Sequence, residues 1–140
     1  MTDLSVLTTS ILALVSAGIG GYTSYFFASK SKKSDAKQVT KETRYKAIIL
    51  MCYALVNYEK EKTMLVINRP DINSIERLKN EIHVEFINMS LYASDNVIIS
   101  MKHFLIKQDT ETLNTLAIAM RKDLYGIRTS LNSKHFSFDV

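Results

Sequence analysis

LSVLTTSILALVSAGIGGYTSYFFAS, residues 4–29, carries no charged side chain, and the first basic residues beyond it arrive together as Lys30, Lys32 and Lys33. At about 1.5 Å of rise per residue, a helix of this length covers the roughly 30 Å hydrocarbon core of a bilayer. The stretch is therefore expected to form one transmembrane helix. A cleaved signal peptide opens with a basic segment before a shorter apolar core, and no Lys or Arg precedes this one. A buried helix of a soluble domain rarely runs so far without a charge. The lysines on the C-terminal flank, against Asp3 alone on the other, orient the helix with its N-terminus out and the C-terminal domain cytoplasmic.

Small residues recur along this span at four-residue spacing: Ala13, Ala17 and Gly21 in one row, Ser16, Gly20, Ser24 and Ala28 in another. Such rows let two helix backbones approach closely, so the span is expected to associate with its own copies. The plainer alternative is that Gly and Ser are common in membrane helices generally. Tyr22, Tyr25, Phe26 and Phe27 gather at the cytoplasmic end, where an aromatic belt sets the depth of the helix.

Outward from the span, the charge is unevenly distributed. The formal charge of +4 arises from residues 30–46, where seven basic side chains face two acidic ones, less Asp3 upstream, whereas eleven of each follow from Ala47 onward. Lysines at a bilayer surface meet anionic lipid, each contributing about 1 kcal/mol. Lys30, Lys32 and Lys33 are thus assigned to membrane lipid, and the basic balance says little about nucleic acid. Residues 30–40, KSKKSDAKQVT, lack an apolar stripe and read as a connector.

The remainder is expected to be all-α. With one proline, Pro70, and one glycine, Gly126, after the span, the chain lacks the punctuation of a β-rich fold. A cytoplasmic bundle of about four helices is expected over residues 41–126, up-down because its connections are short, with a tail at 127–140. From Lys41 to about Lys62, Tyr45, Ile48, Cys52 and Leu55 keep a helical period, widened by Leu50, Met51 and Tyr53 until much of the helix is apolar. Such a helix belongs at the centre of a bundle or at a subunit interface. A turn is expected within Met64–Asp71, since the residue before Pro70 is pushed from helical geometry. Asp71, Asn73 or Ser74 then caps a helix ending near Tyr92 or Ala93. Ser94 and Asp95 begin another, and Asp109 caps the last, whose stripe of Leu113, Leu116, Ala117, Met120 and Leu124 ends at a left-handed Gly126.

The sequence offers little chemistry. It has no glycine-rich phosphate loop, no Gly-x-Ser-x-Gly, no His-Glu-x-x-His and no paired cysteines. Cys52 reads as a buried inert thiol, and neither a cofactor nor a metal site is expected. His83 and His103 are expected to be partly buried packing residues, and Glu81 and Glu85 a solvated face. Two patches remain. Arg121 and Asp123, near the end of the last helix, are candidates for a polar network with Ser94 and Asp95 or with a neighbouring subunit; the simpler reading is that Arg121 and Lys122 complement the helix dipole. Arg128 and His135, separated by six residues, are the candidate catalytic pair for metal-independent RNA cleavage, the histidine as acid or base and the arginine stabilising charge.

The phrases LYASDNVI (Leu91–Ile98) and MRKDLYG (Met120–Gly126), placed in a helical domain behind a membrane helix, resemble small prokaryotic membrane proteins of anti-phage defence. Among their relatives is the type VI CRISPR accessory membrane protein with a HEPN-like bundle. The resemblance implies an oligomeric pore or anchor at the bacterial inner membrane, a degenerate HEPN ribonuclease fold, and partners among defence proteins or an RNA-bound effector. HEPN nucleases carry Arg-x(4 to 6)-His. Arg128 and His135 match its longest spacing, and Arg121 has no histidine at any allowed spacing. The expected function is assembly in the membrane for defence, with a tethered HEPN-type ribonuclease or a scaffold for a soluble partner as alternatives.

Overall fold

The computed structural model describes residues 34–136, together with Ser24, Ala28, Lys30 and Lys32. The chain divides into two compact units, Met1–Val39 and Thr40–Val140. In the first, the described residues are helical and exposed apart from Gln38. Ala13, Ser16, Ala17, Gly20, Gly21 and Lys33 lie outside the described residues, as does most of the expected span. Among the described residues, no helix is long and apolar enough to cross a membrane.

Among the described residues, the regular elements of the second unit are all helical. Helix α1 is described over residues 34–56, of which those from Thr40 onward belong to this unit. It is followed by α2 (Tyr58–Asn68), α3 (Ile75–Met89), α4 (Asp95–Lys107), α5 (Thr110–Tyr125) and a short 3-10 turn, Ser133–Phe136. Each boundary has a local cause. Ser74 Oγ accepts from Arg77 N at 3.1 Å and Asp109 Oδ1 from Thr112 N at 2.8 Å, satisfying donors that the first helical turn leaves open. Gly126, at φ 61°, closes α5 in the left-handed region and donates its N–H to Lys122 O.

The expected single helix from Lys41 to Lys62 is instead broken at Asn57, where φ is −109° and ψ is 30°. There the backbone N–H and the side-chain amide of Asn57 both donate to Tyr53 O, at 3.0 and 3.1 Å, and the next helix starts with the Lys60 and Glu61 amides bonding Asn57 O. The stretch Met64–Asn68, expected near a turn, is helical to Asn68. The break is confined to Arg69, held at φ −135° and ψ 76° ahead of Pro70, and to the turn that follows. Helix α3 ends at Met89 rather than near Tyr92: the amides of Ser90, Leu91 and Tyr92 each bond three residues back, tightening the last turn, and Ser90 Oγ donates to Ile87 O.

Tyr45, Ile48, Cys52 and Leu55 of α1 form one wall of the core, facing Leu78, Ile82 and Met89 of α3, Val97, Met101 and Phe104 of α4, and Leu116 and Met120 of α5. Ile72, fully buried, pins the α2–α3 connection. Two residues, Gln108 and Asp109, join α4 to α5, and Gln108 itself adopts a left-handed conformation at φ 53°. The tail packs against α5: buried Asn114 donates from Nδ2 to Ser133 O at 3.3 Å.

Candidate functional site

Asp123 sits in the last turn of α5, at the negative end of its helix dipole, where a carboxylate is intrinsically disfavoured. Three donors offset this. Lys41 Nζ lies 2.7 Å away, Tyr45 Oη donates to the same oxygen, and the Ser94 N–H approaches at 3.3 Å. Ser94 is the N-cap of α4, yet its own side chain makes no capping bond. Asp123 thus supplies an acceptor to the amino end of α4 from another helix, where the dipole favours an anion. One carboxylate ties together α1, α4 and α5.

The contact extends through aromatic rings. Lys41 Nζ stands 5.7 Å over the Tyr45 ring, whose centroid is 5.8 Å from that of Tyr92 at a tilt of 42°. Arg44 lies 5.6 Å over the other tyrosine and reaches Glu85 of α3 at 3.7 Å. Among the described residues, the buried Tyr92 hydroxyl has no hydrogen-bond partner. Cation and ring attract through the ring quadrupole, by about 0.5–1 kcal/mol at sites of this exposure.

The electrostatics follow from these partners. Burial raises the Asp123 pKa, but the bonds from Lys41, Tyr45 and Ser94 outweigh it and hold the carboxyl below its ordinary value. Burial first, and then the bond to Asp123, push the Tyr45 phenol well above its ordinary value. The pair is therefore an ionised acceptor with a firmly held neutral donor. With its donors engaged, this cluster fastens helices; it presents no activated nucleophile.

Asp123 also lines a cleft of about 500 Å³ between α4 and α5, with Ser94, Asn96, Ser100, Thr115 and Lys122. Among the described residues, no group of His, Cys, Asp and Glu is arranged to hold a metal ion.

Of the residues proposed for a polar network, Ser94 and Asp123 meet, through the serine backbone. Asp95 and Arg121 do not join them: both are exposed, and Arg121 lines a separate, mainly apolar groove between α1 and α5. Arg128 and His135 are exposed, with no bond or shared cavity between them among the described residues. His135 Nδ1 accepts instead from Asn132 N at 3.1 Å. His83 and His103, expected to be partly buried, are exposed, because each falls on the outer side of a helix whose stripe is buried one position earlier or later. Glu81 and Glu85 pair separately, with Arg77 and Arg44. Ser24, Lys30 and Lys32 are exposed.

Sequence reasoning missed Lys41, Arg44, Tyr45 and Tyr92 as members of the network. One signal was present. Tyr45 is a tyrosine in a stripe destined for burial, and a buried phenol needs an acceptor. Lys41 stands one turn before it.

Scans against protein-family models, curated proteins and solved structures find no match to this chain.

Proposed function

We propose that this chain is a single-span membrane protein of the bacterial inner membrane, with a cytoplasmic helical bundle, that works by self-assembly. The uncharged run of residues 4–29 followed at once by Lys30, Lys32 and Lys33 carries the reading. The bundle adds support of a second kind: its polar cluster around Asp123 fastens helices together and spends its donors doing so. Arg128 and His135 stand apart from it. A role in anti-phage defence, as a pore or anchor, is proposed on the likeness of the two phrases at Leu91–Ile98 and Met120–Gly126.

Three measurements test the reading together. A phosphatase fused after Val140 is expected to stay inactive, since it remains in the cytoplasm; strong activity reverses the orientation. Gly20→Ile and Gly21→Ile are expected to leave insertion intact while weakening cross-linked oligomers and any permeability caused by expression, because bulk at a small-residue face keeps backbones apart. His135→Ala is expected to change neither. If the isoleucine variants behave like the parent and His135→Ala abolishes activity, assembly is rejected in favour of RNA cleavage.

A further inference from the structure

Helices α4 and α5 run antiparallel, so that Ser94 at the start of one lies beside Asp123 at the end of the other. The cleft of about 500 Å³ between them falls in the size range of small-molecule sites. Its lining is ordered along its length. On α5, Thr115, Ile118, Ala119 and Lys122 follow at spacings of three, one and three, which places them on one face, and Asn96, Ile99 and Ser100 share a face of α4 in the same way. Charged groups therefore gather at one end, apolar side chains in the middle and two hydroxyls at the other end, with Thr115 and Asp123 about 12 Å apart along the helix.

Both ends hold hydrogen-bonding capacity that the bundle leaves unused. Lys41, Tyr45 and Ser94 all donate to Asp123 Oδ2, and among the described residues nothing donates to Oδ1. The Lys122 ammonium, the Asn96 amide and the Ser94 hydroxyl also have no partner among the described residues. At the far end, Ser100 Oγ donates to Asn96 O at 2.8 Å and Thr115 Oγ1 to Glu111 O at 3.0 Å, so both hydroxyls have committed their hydrogen and can only accept.

We infer that the cleft between α4 and α5 binds a small zwitterionic amino acid with an aromatic body and a hydrogen-bond donor at its far end, as in tyrosine or tryptophan. Its carboxylate meets Lys122 and the Asn96 amide, and its ammonium meets Asp123 Oδ1. Its ring covers Ile99, Ile118 and Ala119, and its hydroxyl or indole N–H donates to Ser100 and Thr115. A simple anion answers Lys122 and leaves the carboxylate oxygen unmet; a simple cation answers that oxygen and faces the lysine. A zwitterion satisfies both. The inference goes beyond self-assembly and does not depend on it, since both walls of the cleft belong to one chain.

Calorimetric titration of the full chain in detergent at neutral pH tests it, with circular dichroism to show that each variant is folded. L-tyrosine and L-tryptophan are expected to bind one per chain. L-phenylalanine, which lacks the far donor, tyramine, which lacks the carboxylate, and 3-(4-hydroxyphenyl)propionate, which lacks the ammonium, are each expected to bind about tenfold more weakly or worse. Asp123 stays intact because it fastens the bundle, and its part is read from the last of these compounds. Lys122→Ala, at an exposed position, is expected to weaken L-tyrosine about tenfold and leave tyramine unchanged. Thr115→Val, also exposed, is expected to weaken L-tyrosine and leave L-phenylalanine unchanged. Two outcomes overturn the inference: neither L-tyrosine nor L-tryptophan binds below about 1 mM, or they bind with an affinity that Lys122→Ala and Thr115→Val leave as it was. Equal affinity for the compound without an ammonium removes Asp123 Oδ1 from the site and overturns it as well.

Discussion

Tyr45 Oη donates a hydrogen bond to the Asp123 carboxylate across 78 positions of sequence, joining the first helix of the bundle to the last turn of its final helix. Lys41 shares the same oxygen at 2.7 Å. Removing a charged acceptor from such a pair strands a partly buried ammonium, which costs more than the bond itself contributes.

Asp123→Asn is therefore expected to destabilise the bundle by about 1.5–3 kcal/mol, the range for hydrogen bonds to charged groups. Arg121→Ala, two positions away and exposed, is expected to stay within about 0.5 kcal/mol. Denaturant unfolding followed by circular dichroism checks both. Equal effects would remove Asp123 from its place in the network.

The same pair contributes to both limbs of the pH profile. The Asp123 pKa is lower in the folded state than its ordinary 3.8, so the folded chain binds that proton less readily. Its contribution is full above the unfolded value and is lost as pH falls through the folded one, in the acid range below about pH 4. The Tyr45 pKa is raised from 10.0, so its contribution is full below that value and is lost as pH rises beyond it. Stability measured against pH is expected to flatten on the acid side in Asp123→Asn and on the alkaline side in Tyr45→Phe. Unchanged limbs in these variants would contradict the linkage.

Leu116 is fully buried at the centre of the α5 stripe. Leu116→Ala is expected to cost about 2–5 kcal/mol, combining lost transfer energy with the cavity left behind. A loss near zero in thermal or denaturant unfolding means that this face of α5 is not in the core.

Asn114 is the buried polar residue that holds the tail, through Ser133 O. Asn114→Ala is expected to cost about 1 kcal/mol and to open residues 127–136 to protease at concentrations that leave the parent uncut. Limited proteolysis read by mass spectrometry reports the site of cleavage. Unaltered protection of the tail would show that apolar contacts hold it instead.

Much of the bundle was legible because its signals are local. Ser74, Asp109 and Gly126 act within a turn of where they stand, and the period of Leu113, Leu116 and Met120 defines a face without knowledge of what covers it. The break at Asn57 was hidden because no glycine or proline marks it, and the bond from its side chain to Tyr53 O leaves no trace in periodicity. The network was half legible. Ser94 and Asp123 were visible as polar residues at helix ends, but Lys41 and Tyr45 join them only through packing between distant helices. His83 and His103 show the opposite error, since being next to apolar positions does not decide which side of a helix a ring occupies.

The long separation between Tyr45 and Asp123 also orders events during synthesis. Asp123 leaves the ribosome 78 residues after Tyr45, roughly 4–16 s later at elongation rates of about 5–20 residues per second. Over that interval, α1 has neither its anion nor the α5 side chains Leu116 and Met120, which share its core cluster. The α4–α5 pair, joined by only Gln108 and Asp109, is local and closes as soon as it emerges. The first helix of the bundle is thus secured to α5 only late in synthesis, and chains stalled before Asp123 should show α1 open to protease although every residue of it has long been translated.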